Sequence, residues 1–310
     1  MISYFIIMVI IFIIVGIVYA IWRTITNIWR TIANAADKAT ETPLMKAAVS
    51  GDVEKVNELL STGVNIDETN VVKNTALSLA IIKNQEETAC ALINAGANLT
   101  MACRDGKDAF DLVLATKNER ILLQLIEKVD AKTLIRFNLL AEVAKYYSVD
   151  VLRELFNKIE QEQKGISAKI SEGNKYSDID WALWRAAENR NIQNVDFLLE
   201  KGASLAAEPI LAAVMSGSVP LVKKFIELGD NIEAKNNEGL ACLVLAVKQE
   251  EYEIVELLLE NKANPSVTVK RFNPETGNYY SQLLFNYACD LVSVDMGSLL
   301  LKYGAKKEKL

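Results

Sequence analysis

Thr42-Pro43-Leu44-Met45-Lys46-Ala47-Ala48-Val49-Ser50-Gly51-Asp52, followed by Leu59-Leu60 and Gly63, is the stretch that decides the fold. Proline is preset for the first turn of a helix, and a preceding threonine hydroxyl accepts from the N–H groups that this turn leaves unpaired. Ala47-Ala48 let a neighbouring helix approach closely, and Gly51-Asp52 reads as a turn into a second helix. Leu59 and Leu60 give that helix its apolar face, and Gly63 admits the left-handed turn that ends it. The same skeleton returns 33 residues later at Thr75, Leu77, Ala80-Ile81, Leu92-Ile93 and Gly96. A unit this small cannot bury its own apolar face, so the repeat predicts a stack of units sharing one core.

Counted from the position of Thr42, further units start at Thr75, Asp108, Asn138, Trp181, Glu208, Ala241 and Leu283. The paired hydrophobic site persists to Leu300-Leu301, and closing glycines stand at Gly63, Gly96, Gly202, Gly229 and Gly304. A Thr-Pro-Leu step, a small-residue pair, a Gly-Asp turn and Leu-Leu before Gly resemble the ankyrin repeat. The resemblance runs from Thr42 to about Lys307 and implies an all-α solenoid of about eight stacked helix pairs. It also implies a concave face and projecting turns that bind another protein. The family's histidine after the Thr-Pro-Leu step is missing in every unit, its place taken by Met45, Ser78, Asp111, Ala141, Trp184, Leu211, Val244 and Asn286. The third and fourth units open on the degenerate steps Asp108-Ala109-Phe110 and Asn138-Leu139-Leu140. Two insertions lengthen the array. Residues 161–180 are polar and read as a loop, and residues 265–282 read as a β-hairpin pairing Ser266–Phe272 with Tyr279-Tyr280.

Residues 1–22 carry no charge and are dominated by Ile, Val, Phe and Met. A helix of that length spans about 33 Å, close to the hydrocarbon thickness of a bilayer, so it is expected to be a transmembrane anchor. A linker at 23–40 and a repeat domain at 41–310 complete the expected organisation. Arg23 and Arg30 follow the apolar run, which by the positive-inside rule puts the repeats in the cytoplasm of a single-pass membrane protein. Ile25, Ile28, Trp29 and Ile32 fall at helical spacing, suited to the membrane surface or to self-association through the anchor. The alternative is a cleaved leader on a secreted or periplasm-facing inhibitor or immunity-type binder, but no basic residue precedes the apolar run.

The chain has a net charge of −6, and the acidic repeats repel nucleic acid, so no nucleic-acid partner is expected. Histidine is absent from the sequence, which removes the commonest general base and metal ligand together. With no phosphate-binding glycine motif either, no catalytic residue, metal or cofactor is expected, and the protein is read as a binder and not as an enzyme. Cys90, Cys103, Cys242 and Cys289 have no CxxC spacing and read as small buried hydrophobes. The candidate partner-binding residues are Lys46, Tyr146, Trp184, Arg185, Glu188, Lys248, Phe272 and Tyr279. The plainer alternatives are that Trp181 and Trp184 pack over the short fifth unit and that the hairpin tip is a spacer.

Overall fold

A computed structural model describes residues 15–27, 40–103, 106–136, 139–162, 177–273 and 277–307. Contacts divide the chain into two units, residues 1–128 and 129–310.

In the first unit, residues 15–27 are helical (α1). Three helix pairs follow: α2 (Pro43–Ser50) with α3 (Val53–Ser61), α4 (Ala76–Ile82) with α5 (Glu86–Asn94), and α6 (Ala109–Thr116) with α7 (Glu119–Lys128). The Thr42 hydroxyl accepts from Met45 N at 3.2 Å with Pro43 in the first turn, as its sequence predicts. Gly63 closes α3 at φ +79°, and Gly51 turns the chain from α2 to α3 at φ +77°, both in the left-handed region. The third pair forms despite its degenerate opening. Asp108 accepts from Asp111 N at 3.1 Å while Asp111 accepts from Asp108 N at 3.2 Å, so two carboxylates supply the reciprocal cap. Ala48, Ala80 and Val113 are buried where α2, α4 and α6 stack.

No helix among the described residues is long and apolar enough to cross a membrane, so the anchor expected over 1–22 is not supported. The described part of α1 covers residues 15–27, in which the apolar run ends at Trp22 and Arg23, Thr24, Thr26 and Asn27 follow. Residues 1–14 of the expected anchor and 28–39 of the expected linker lie outside the described residues.

The second unit starts with a helix the sequence reading lacks, α8 (Ala131–Arg136). Five pairs follow: α9 (Leu139–Tyr146) with α10 (Val149–Glu162), α11 (Asp178–Glu188) with α12 (Ile192–Glu200), α13 (Pro209–Met215) with α14 (Val219–Glu227), α15 (Cys242–Lys248) with α16 (Tyr252–Glu260), and α17 (Leu284–Leu291) with α18 (Val294–Lys302). The first helices lie side by side in chain order from α9 to α17. Ala144, Ala186, Ala187, Ala213 and Ala246 are fully buried between them, where small side chains set the close approach. Leu155, Phe156, Leu198, Phe225 and Leu258 fill the space under the second helices, each burial contributing about 2 kcal/mol. Residues 163–176 of the expected insertion lie outside the described residues. The expected hairpin is present: β1 (Thr268–Asn273) pairs antiparallel with β2 (Asn278–Leu283), Phe272 opposite Tyr279 and Arg271 opposite Tyr280.

Candidate protein-binding surface

Helix geometry sorts the candidate residues. On a first helix, the residues four, seven and eight positions after the unit start face away from the second helix. In α9 these are Glu142, Lys145 and Tyr146, and in α11 they are Arg185, Glu188 and Asn189. The two rows meet in an ion-pair network. Arg185 Nη2 bonds Glu142 Oε1 at 2.6 Å, Arg185 Nη1 bonds Glu188 Oε2 at 2.8 Å, and Lys145 Nζ reaches Glu188 Oε2 at 2.8 Å. Burial pulls the Lys145 ammonium toward a lower pKa, but the hydrogen bonds to Glu188 and Tyr146 outweigh it and hold the group above its usual range. Tyr146 is 37% exposed, with the Lys145 ammonium 5.0 Å from its ring centre. Arg185 and Glu188 thus sit on the expected face, each already engaged within the chain.

The same face is braced by side-chain amides. The last carbonyls of a helix have no partner within it, and α2, α9, α11 and α13 each borrow a donor from the next repeat. Asn189 Nδ2 donates to Lys145 O at 2.8 Å, and Asn191 Nδ2 donates to Tyr147 O at 3.1 Å. Asn194, with no exposed surface, donates from Nδ2 to Ala144 O at 2.9 Å and to Tyr147 O at 3.0 Å. Ser216 Oγ donates to Ala187 O, Gln249 Nε2 to Met215 O, and in the first unit Gln85 Nε2 to Val49 O. Sequence reading missed these braces because each joins residues about one repeat apart. The recurrence of Asn189, Ser216 and Gln249 eight positions after a unit start, and of Gln85 and Asn191 ten after, was the available signal; Asn194, thirteen after, had none.

The remaining candidates divide into packed and open. Trp184 stacks on Trp181, ring centres 4.9 Å apart and planes 11° from parallel, and both indoles are half-buried. Lys46 and Lys248 are exposed on α2 and α15. Phe272 and Tyr279 are 52% and 73% exposed, their rings 5.3 Å apart across the ladder. The structure therefore brings Tyr146, Arg185 and Glu188 together in one cluster and Phe272 with Tyr279 in another.

The cysteines divide as well. Cys103 and Cys242 are buried as expected, whereas Cys90 and Cys289 are only half-buried. Burial pushes the Cys242 thiol up to about 12, with the nearby Asp230 carboxylate adding to the shift. Among the described residues no group of three or more His, Cys, Asp or Glu is placed to hold a metal ion.

The sequence is matched by known proteins. A family model described as ankyrin repeats matches three times, at residues 18–103, 183–271 and 210–309. The first match begins at residue 18, inside the stretch expected to be an anchor. The chain is 25% identical over 287 residues to the ankyrin repeat and KH domain-containing protein mask-1 of Caenorhabditis elegans, covering 78% of this chain and 11% of that protein. It is 24% identical over 225 residues to the B-cell lymphoma 3 protein homolog of Mus musculus, covering 68% of this chain and 49% of that protein. The chain thus spans about a tenth and about half of the lengths of these two relatives. Among solved structures, the human ASB11 ankyrin repeat domain aligns with a TM-score of 0.43 at 20% identity, covering 86% of this chain and 100% of that one. The ankyrin repeat domain of Bcl-3 aligns with a TM-score of 0.39 at 20% identity, covering 84% and 98%. With family matches over more than half of its length, on helix pairs that carry the repeat's caps and closing glycines, this chain belongs to the ankyrin-repeat family.

Proposed function

We propose that the chain is a protein-interaction module whose partner docks on the first-helix face and hairpin of residues 129–310. The domain is of a kind suited to protein–protein interaction, and members of the family are typically non-enzymatic binding modules. The observation that carries the reading is the Phe272–Tyr279 pair, two exposed rings held on a hairpin whose base is buried. Rigid exposed aromatics supply contact area at low entropic cost, which is why they dominate interface energetics. Exposed Lys248 and Tyr146 extend the surface along the first helices, and in the first unit Lys46 is exposed on α2 at the position that Glu142 and Arg185 hold in their own repeats. Trp184, Arg185 and Glu188 supply a preformed floor, held by stacking and ion pairs.

The same reading includes a tether. Residues 1–22 act as a single-pass anchor with the repeats on the cytoplasmic side, supported by the uncharged sequence and by the exposure of Val15, Ile17, Val18, Ile21 and Trp22 on α1. Self-association through this segment belongs to the same proposal.

The test is site-specific photo-cross-linking of the full chain in cells that make it, with the probe at Tyr279, Lys248 or, as control, Glu54 on the exposed side of α3. Discrete heterologous adducts at Tyr279 and Lys248, absent at Glu54, are expected. Adducts at neither test position, or equally at the control, remove the interaction reading. Recovery of the chain in an alkali-extractable fraction removes the tether.

A further inference from the structure

The hairpin is more than a pedestal for two rings. In the observed register Lys270 faces Ser281 and Phe272 faces Tyr279 on one side, while Val269 faces Gln282 and Arg271 faces Tyr280 on the other. The second side is rooted. Val269 and Gln282 are buried, Gln282 Nε2 donates to Asp290 Oδ2 at 2.7 Å on α17, and Leu284 N donates to Val267 O at 2.9 Å below the strands. Arg271 Nη1 donates to Gln282 Oε1 at 3.1 Å, with its guanidinium 5.9 Å from the centre of the Tyr280 ring. A free two-stranded hairpin is marginal in water, so this clamping makes the ladder a fixed template.

A two-stranded ladder has two outer edges, each a row of N–H and C=O groups pointing away from the partner strand. Among the described residues, β1 pairs only with β2, which leaves its outer edge open. The charge of the C-terminal segment that holds this edge is the reverse of the rest of the chain, although Glu233 of the preceding repeat accepts from Asn264 N at 2.7 Å just before β1. Residues 261–310 carry seven Lys and Arg against four Asp and Glu, in a chain whose net charge is −6. Lys306 N donates to Ser266 Oγ at 3.2 Å, so the basic C-terminal stretch lies beside the start of β1. Lys270 and Arg271 are consecutive and project to opposite sides, so a strand added here meets a cation on each of its faces. Like charges across a ladder are unfavourable and opposite charges favourable. A second copy of β1 is therefore disfavoured, and an acidic strand is favoured.

We infer that the outer edge of β1 takes an extended acidic segment of a partner protein, which adds as a third strand. The backbone edge supplies the hydrogen bonds, Lys270 and Arg271 supply the charge selection, and the Phe272 ring supplies an apolar contact. This deepens the interaction reading above and rests on it.

The probe is a ten-residue peptide alternating Glu with Val and Tyr, titrated against the full chain by fluorescence anisotropy. Its comparators are the same peptide with Lys for Glu, and one N-methylated at alternate residues to block strand hydrogen bonds. Expected results are binding by the acidic peptide at least tenfold tighter than by either comparator, and slowed amide exchange within residues 268–272. Lys270→Glu is expected to weaken it at least fivefold and Lys270→Met less, both with unchanged melting temperature because the side chain is exposed. Equal binding by acidic and basic peptides, or by the N-methylated peptide, overturns the inference. So does hairpin protection by vesicles of anionic lipid without protection by the acidic peptide. If cross-links at Tyr279 persist while the peptide fails, strand addition falls and the interaction reading stands; if cross-links are absent at both test positions, both fall.

Discussion

Replacing Asn194 with alanine removes a side chain that has no exposed surface and whose amide serves two carbonyls of the preceding repeat. The two losses are unequal. Tyr147 O keeps the Asn191 amide at 3.1 Å, so that contact loses one hydrogen bond, about 1 kcal/mol. Ala144 O sits in the last turn of α9 and loses the Asn194 amide altogether, at about 2 kcal/mol for a carbonyl left buried without that donor. Alanine's better helix propensity returns a few tenths of a kcal/mol, and removing the Asn194 Oδ1, buried without a hydrogen-bond partner, returns about 1 kcal/mol more. The expected net loss is about 2 kcal/mol, or a melting temperature lower by about 4–8 °C for a unit of this size. Urea unfolding followed by tryptophan fluorescence reads it directly, since Trp181 and Trp184 stack on α11, the helix that packs on α9. Asn194→Asp separates the hydrogen-bond explanation from a simple cavity. It keeps the side-chain volume but turns acceptor oxygens toward two carbonyls, so it should destabilise more than alanine does. A loss below about 1 kcal/mol for Asn194→Ala, or an Asp variant as stable as wild type, would refute the reasoning.

Gly297 lies on α18 where an added Cβ would press well inside contact distance on Cys289 Sγ. Gly297→Ala should therefore lose about 1–2 kcal/mol in thermal melts despite its better helix propensity. Combining it with Cys289→Ala should recover most of that loss, a coupling that a double-mutant cycle measures. The Cys242 thiol, held at about 12 in the folded chain against 9.0 unperturbed, favours the protonated form. Its stabilising effect is whole below pH 9 and disappears as pH rises from 9 toward 12, reaching a loss of about 3 kcal/mol near pH 11. Cys242→Ala, which costs about 1 kcal/mol at pH 7 through the emptied volume, should thus be the more stable form at pH 11 in parallel urea titrations. Phe272→Ala with Tyr279→Ala should leave the melting temperature within about 2 °C, since both rings are exposed, while capture of the partner by a probe at Lys248 falls at least tenfold.

The helix pairs were legible because their signals are local. Pro43 after a capping threonine, and a glycine closing the second helix, act within one turn of the chain and do not depend on what packs above. The hairpin was legible for the same reason, as alternating residues either side of a turn. The degenerate third unit folds because Asp108 and Asp111 cap each other, a chemistry that a search for Thr-Pro-Leu does not see. Helix α8 carries no repeat signature, so it falls outside a reading made by period. The ion-pair network was readable in principle. Glu142 and Arg185 stand at equivalent positions of neighbouring repeats, as do Lys145 and Glu188, with opposite charge each time. Treating them as separate exposed residues hid the pairing. The amide braces were missed because they join residues about one repeat apart, which composition and local propensity do not connect.

Those braces all point the same way: Gln85, Asn189, Asn191, Asn194, Ser216 and Gln249 each reach back to a carbonyl of the repeat before their own. The array therefore has a polarity. Trimming repeats from its N-terminal side takes away carbonyls and leaves amides that water can serve. Trimming from the C-terminal side strips lids from helix ends that stay buried. As the chain leaves the ribosome, the repeats that hold α2, α9, α11 and α13 are finished only by the arrival of the next.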